Sequence, residues 1–229
     1  MCGRYVLVSS QETLVERFGV DEVRTDALPP RYNVAPSVDV YAVVDHDARR
    51  RLGALRWGFI PRWARALRGT PQPINARIET LATARMFADA ARRRRCLIPA
   101  DGFYEWLQRG EGRPKQPFHV APHDHRPMAF AGVWSLWRDP AVDDAEPLAS
   151  AAIVTTEARD GLAGIHPRMP VILPEELWTD WLRGDPDETP ALLDRLRTLP
   201  PPPLDIVAVS NRVNAVRNDG PDLLVPVDG

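Results

Sequence analysis

Cysteine and lysine are nearly missing from this chain. Its 229 residues include two cysteines, Cys2 and Cys96, too few for a disulfide framework and in keeping with a reducing compartment. Of its 29 lysines and arginines a single one, Lys115, is lysine. A GC-rich coding sequence explains the bias, and the scarcity makes an internal lysine a poor candidate for an imine-forming amine. No strong charge excess exists either. A net charge of −2 excludes a histone-like polycation while leaving room for a local basic groove. No apolar run approaches the ~20 residues of a membrane span, and no signal-peptide pattern precedes Cys2, so a cytoplasmic protein without membrane contact is expected. Internal repeats, a βαβ rhythm and an interdomain linker are absent too. A hydrophobic share of 44% and a charged share of 26% then describe an ordinary globular chain, long enough for one substantial core.

What is present reads as many short strands between a few helices. Residues 4–8 suggest a strand, and Ser9 with Glu12 makes a capping-box pattern ahead of a helix through Phe18. Residues 38–44 and 52–60 suggest a hairpin, and residues 79–95 a helix with Leu81, Met86 and Phe87 on its apolar side. Strand-like runs follow at 96–98, 103–107, 117–121, 128–137 and 149–155, then helices at 175–183 and 190–198 and a late strand at 204–209. This pattern predicts a single α+β domain with a mainly antiparallel, barrel-like β core and flanking helices.

Chemistry concentrates at the second residue. Initiator methionine is trimmed when the next side chain is small, so Cys2 is expected to become the first residue, with both a free α-amine and a thiol. These titrate near pH ~8 and ~8.5, so a fraction of each is reactive at neutral pH. Two routes follow: acyl attack by the thiol with its own amine as base, or condensation of the amine with an aldehyde and closure of a thiazolidine ring by the thiol. Other polar residues sit in unusual company, in Arg31-Tyr32-Asn33-Val34-Ala35-Pro36 (read as a polar loop), Trp57-Gly58, Ile74-Asn75-Ala76-Arg77-Ile78-Glu79-Thr80, Glu105-Trp106 and His166-Pro167-Arg168-Met169-Pro170. The Arg92–Arg95 run reads as a solvated helix end. His119, His123 and His125 make an H-x₃-H-x-H cluster in an expected hairpin turn that is not read as a metal site, and neither metal nor cofactor is expected.

Taken together and in this order, these motifs with Met1-Cys2-Gly3-Arg4 resemble the SRAP (SOS response-associated peptidase) family of abasic site processing proteins, over residues 2–227. The resemblance implies a single SRAP domain that senses abasic sites in single-stranded DNA, including single-strand/duplex junctions, and forms a covalent thiazolidine crosslink through Cys2. It implies Cys2, Asn75, Glu105 and His166 as catalytic residues: Glu105 moves protons at the amine and sugar, His166 acts in ring opening and reversal, and Asn75 orients Cys2. Arg77, Arg85 and Arg168, with Arg4, are implied as phosphate contacts. Asn33, Pro36, Trp63 and Met86 are implied to shape the groove and stack on bases. Self-processing that exposes Cys2 and a lyase-like side activity also belong to the family. A bacterial monomer that associates with the nucleoid on damaged DNA is expected. Two rivals stay open: a class II glutamine amidotransferase-like amidohydrolase, which also begins with Cys-Gly but uses an Asn-Gly pair that this chain lacks, and a noncatalytic nucleic-acid-binding module.

Overall fold

The computed structural model describes residues 2–227, so the expected removal of Met1 lies outside the described residues. The first half of the chain forms β1 (Tyr5–Leu7), α1 (Gln11–Phe18), β2 (Glu22–Val23), β3 (Arg31–Val34), β4 (Asp39–His46), β5 (Arg49–Trp57), β6 (Asn75–Arg77) and α2 (Ala88–Arg93). The second half forms β7 (Arg95–Ala100), β8 (Gly102–Leu107), β9 (Gln116–Pro122), β10 (Met128–Trp137), β11 (Leu148–Glu157), β12 (Arg168–Pro170), β13 (Ile172–Leu173), α3 (Trp178–Arg183), α4 (Thr189–Thr198) and β14 (Leu204–Ala208).

The strands divide into two sheets. One is antiparallel, in the order β14-β9-β8-β1-β3; the other runs β12-β11-β10-β7-β4-β5-β2. A short parallel pairing of β11 with β5 makes the run β11-β10-β7-β4-β5 return on itself, and β6 lies parallel to β11 beside it. This is the α+β architecture with a mainly antiparallel core that the strand spacing predicts. Apolar side chains from both sheets meet in one main core, with Trp57, Trp178, Trp181, Tyr5 and Phe130 fully buried. Burying a large apolar side chain is worth ~1.5–3 kcal/mol, so this cluster anchors the surrounding backbone.

Several local expectations need correction. The cap of α1 is Ser10, whose Oγ accepts from the Thr13 N–H at 3.2 Å, while Ser9 is drawn away by Asp101. The Asp101 carboxylate accepts from the backbone N–H groups of Val8 and Ser9 at 2.6 and 2.8 Å, which ties the end of β1 to the turn before β8. Residues 79–95 are not one helix. A 3₁₀ turn at Ile78–Thr80 and further turns precede α2, where the Thr83 hydroxyl donates to the Thr80 carbonyl as threonines do when they compete with helix bonding. Residues 175–183 likewise divide into a 3₁₀ turn at Glu175–Leu177 and α3. The expected loop 31–36 is mostly strand β3: its polar side chains face the C-terminal segment, and Asp219 accepts from the backbone of Tyr32 and Asn33. Arg95 is buried rather than solvated, with its guanidinium over the Trp181 ring.

Candidate functional site

Strand register brings the N-terminus to the middle of β8. Tyr5 pairs with Phe103, and the Tyr104 N–H donates to the Arg4 carbonyl at 3.0 Å. Continuing that antiparallel register sets Gly3 opposite Glu105, with Cys2 beyond it. Cys2 is fully buried, and its carbonyl accepts from Asn75 Nδ2 at 3.0 Å. Asn75 comes from β6, paired in parallel with Ile153 of β11. Its Oδ1 is buried without a hydrogen-bond partner among the described residues, so an acceptor remains available beside Cys2.

Glu105 is 1% exposed, and burial pushes its carboxyl up to about 7, where it can both take and give a proton near neutrality. The same burial, reinforced by the Glu105 charge, raises the Cys2 thiol well above its ordinary value. The sulfur is therefore held as S–H rather than as a thiolate. His166 follows a 3₁₀ turn at Asp160–Gly164 and brings Nδ1 to 3.8 Å from a Glu105 oxygen. Burial lowers its pKa, so the ring is neutral at pH 7. Nδ1 lies 3.0 Å from both the backbone N–H and the carbonyl of Arg168, which hold the ring in place. Cys2, Asn75, Glu105 and His166, distant in the chain, thus gather at one place.

The basic and groove-shaping residues divide. The Arg168 guanidinium donates to both oxygens of Glu79, at 2.7 and 2.9 Å, and to the Thr155 carbonyl. Arg4 donates to Asn33 Oδ1 at 2.9 Å and to the Val213 carbonyl at 3.0 Å. Asn33 is buried, and its amide donates to the carbonyls of Val213, Ala215 and Asn218, so it braces the C-terminal segment from inside. Arg77 is exposed on β6, two residues from Asn75. Arg85 lies over the Trp63 ring at 5.0 Å, and Trp63 is 50% exposed. Pro36 is half-buried just after β3, and Met86 is half-buried against the main core.

Three participants carried no signal of role in the sequence. Glu79 lies inside a motif but shows its tie to Arg168 only in three dimensions. Asn214 arrives from the C-terminal segment and accepts from Trp106 Nε1 at 2.7 Å. Lys115, noticed only for its rarity, lines a cavity of about 470 Å³ with Glu105, Trp106, Pro114, His166 and Asn214. The expected H-x₃-H-x-H turn disperses: His119 points into the sheet against Tyr104 and His123 pairs with Asp205, and no metal-ligand cluster occurs among the described residues.

Comparison with known proteins places the chain in a family. The chain belongs to the SRAP family: the profile of the SOS response associated peptidases matches residues 1–216. It is 35% identical over 225 residues to the abasic site processing protein YoqW of Bacillus subtilis (98% of this chain, 99% of that one). It is 33% identical to the abasic site processing protein YedK of Escherichia coli K12, covering 99% of this chain and 100% of that one. Among solved structures, a Bacteroides thetaiotaomicron protein superposes with a TM-score of 0.84 over 99% of this chain and 100% of that one at 22% identity, a likeness of fold. A Bordetella bronchiseptica protein at 27% identity gives 0.73, covering 91% of this chain and all of that one.

Proposed function

We propose that this protein processes abasic sites in single-stranded DNA by capturing the lesion aldehyde on Cys2 as a thiazolidine. The convergence of Cys2, Asn75, Glu105 and His166 from four separate segments, in a chain whose relatives are named abasic site processing proteins, carries this reading.

The chemistry follows from the protonation states. With Met1 removed, the Cys2 amine adds to C1′ of the open-chain sugar, giving a carbinolamine. Its proton passes to the Glu105 carboxylate, which returns a proton to the departing hydroxyl, so one water is lost and an imine forms. The Cys2 S–H then adds across the C=N bond: sulfur bonds to C1′ and the nitrogen gains the proton. Aldehyde and aminothiol have become thiazolidine and water. A buried carboxyl near 7 suits this two-way transfer, and a protonated sulfur leaves the first step to the amine. Neutral His166 serves the sugar ring oxygen in opening and reversal. Asn75 fixes the Cys2 backbone and offers its vacant oxygen to the amine or sugar. Arg77 and Arg85 contact backbone phosphates, and Trp63 stacks on a base, so recognition ignores sequence. β-Elimination at the lesion belongs to the same proposal, since it starts from the same imine, and so does self-processing to expose Cys2, in which water cleaves the Met1–Cys2 amide and the Cys2 nitrogen leaves as the free amine.

The test is a single-stranded oligonucleotide from which uracil has been excised. Heating in detergent after incubation leaves a shifted band for the wild type and none for Cys2→Ala. No heat-stable band with wild-type protein of verified Cys2 N-terminus rules the reading out.

A further inference from the structure

The cavity beside Glu105 has an electrostatic problem. A DNA strand delivering its sugar to Cys2 must bring phosphates close to the Glu105 carboxylate. His166, neutral through burial, offers no charge against that repulsion. Arg4 and Arg168, each two residues from a site residue, are already held by internal acceptors, and the exposed Arg77 beside Asn75 does not line this cavity. One cation in the cavity wall is differently placed. Lys115 is exposed, immediately precedes β9, and makes no hydrogen bond or ion pair among the described residues. The register of β9 on β8 sets Phe118 opposite Glu105 and Gln116 opposite Leu107, so Lys115 stands just beyond the end of the strand pair whose middle carries the carboxylate. The opposite wall is fixed by the bond from Trp106 to Asn214.

We propose that Lys115 binds the DNA phosphate adjoining the lesion at the mouth of this cavity, as a positioning residue for capture. The proposal rests on the site being a lesion pocket as described above. An ammonium on a flexible four-carbon stem can follow a phosphate as the sugar enters, and a single compact charge balances a single ionised carboxylate. The chain's solitary lysine thus gains a place in the reaction without forming an imine itself.

The test uses two strands. One carries a tetrahydrofuran abasic analogue, which has no aldehyde and reports binding alone by fluorescence anisotropy across a salt series. The other carries the natural lesion and reports crosslinking. In Lys115→Gln, affinity for the analogue strand should fall about fivefold, and the slope of log affinity against log salt should shrink by ~0.7, the value of one phosphate contact on a single strand. The crosslinking rate at saturating DNA should stay within about twofold, and Lys115→Arg should restore both affinity and slope. Unchanged affinity and slope in Lys115→Gln, alongside normal wild-type crosslinking, overturn the phosphate contact alone. A lysine-dependent slope in a wild type that never crosslinks the natural lesion supports the contact and overturns the capture reading instead.

Discussion

Arg168 and Glu79 form a two-point ion pair, with both carboxylate oxygens accepting from the guanidinium at 2.7 and 2.9 Å. The pair spans from the turn after β6 to the start of β12, and the backbone N–H of the same arginine holds Nδ1 of His166. Glu79 therefore acts on His166 through Arg168. It steadies the turn that sets the His166 ring 3.8 Å from Glu105.

Glu79→Gln should loosen this arrangement without unfolding the chain. The pair is part-exposed, and removing such a pair changes energies by ~1 kcal/mol, or about fivefold in rate. Crosslink formation and its reversal should both slow by that factor, while affinity for an analogue strand moves less than twofold. A variant with unchanged rates in both directions would show that His166 is held well enough by its own turn.

The pH dependence of capture should follow Glu105. Its carboxyl sits up at about 7 because it is buried. The ionised form takes the amine proton, so the rate should rise with pH and bend near 7. In Glu105→Gln the bend should vanish and the rate fall by ~10²-fold or more. Single-turnover crosslinking from pH 5.5 to 8.5 reads both effects, and a bend that survives in Glu105→Gln assigns the titration to another group.

The same burial has an opposite consequence for stability. A folded-state pKa raised above the unfolded value means the folded protein binds the extra proton between about 4.5 and 7. Stability from this group is then fully present at acid pH and is lost as pH rises through 7, by up to ~3 kcal/mol. Glu105→Gln should melt higher than wild type at pH 8, with the gap closing towards pH 5. His119, pushed down to about 4 by burial, runs the other way: its contribution is present above pH 6.5 and is lost as pH falls towards 4. Melting curves of Glu105→Gln should therefore show a plain loss of stability on acidification. Parallel wild-type and variant melting temperatures across the whole range would contradict the burial of Glu105.

Much of this was legible beforehand. Cys2, Asn75, Glu105 and His166 sit in short motifs whose polar residues have no place in a plain core, and the structure gathers them. The strands β7 to β11 were visible as short strand-like runs separated by Gly, Pro and Asp turns. Less legible were groups whose role depends on a partner far away in sequence. Asn33 and Arg4 resemble surface contacts in the sequence, yet they serve the C-terminal segment near Val213, about 180 and 209 positions distant. Strand β3 was hidden because Asp219 takes its backbone N–H groups and its Asn33 side chain turns inward to the carbonyls of the C-terminal segment. Turn propensity around Thr80 and Thr83 overrode an apolar periodicity that suggested a longer helix.

Close approach of backbone and ring fixes one glycine on the site strand. A Cβ on Gly102 would stand 2.3 Å from His119 Nε2 and 3.0 Å from the Val120 carbonyl. Gly102→Ala must push β9 away from β8, and overpacking of this kind costs about 1–3 kcal/mol. Because Glu105 is three residues along the same strand, capture should slow together with the drop in melting temperature. The double variant Gly102→Ala, His119→Ala should recover part of both. If the double variant melts no higher than Gly102→Ala, the Val120 carbonyl and not the imidazole sets the limit.

Trp63 separates stability from recognition. Half of its surface is exposed, and the Arg85 guanidinium rests on its ring at 5.0 Å. An exposed ring adds little to the core, so Trp63→Ala should leave stability within ~0.5 kcal/mol. A base stacked on that ring is worth ~1–3 kcal/mol, and the stacked arginine adds a cation beside it. Affinity for single-stranded DNA should therefore fall about tenfold, and half-saturation of crosslinking should shift by the same factor at constant maximal rate. Arg85→Ala removes the cation but leaves the ring, so it should lower the salt slope more than it lowers affinity at high salt. If Trp63→Ala melts several degrees lower and binds DNA normally, the ring is a packing residue and the stacking surface lies elsewhere on the groove.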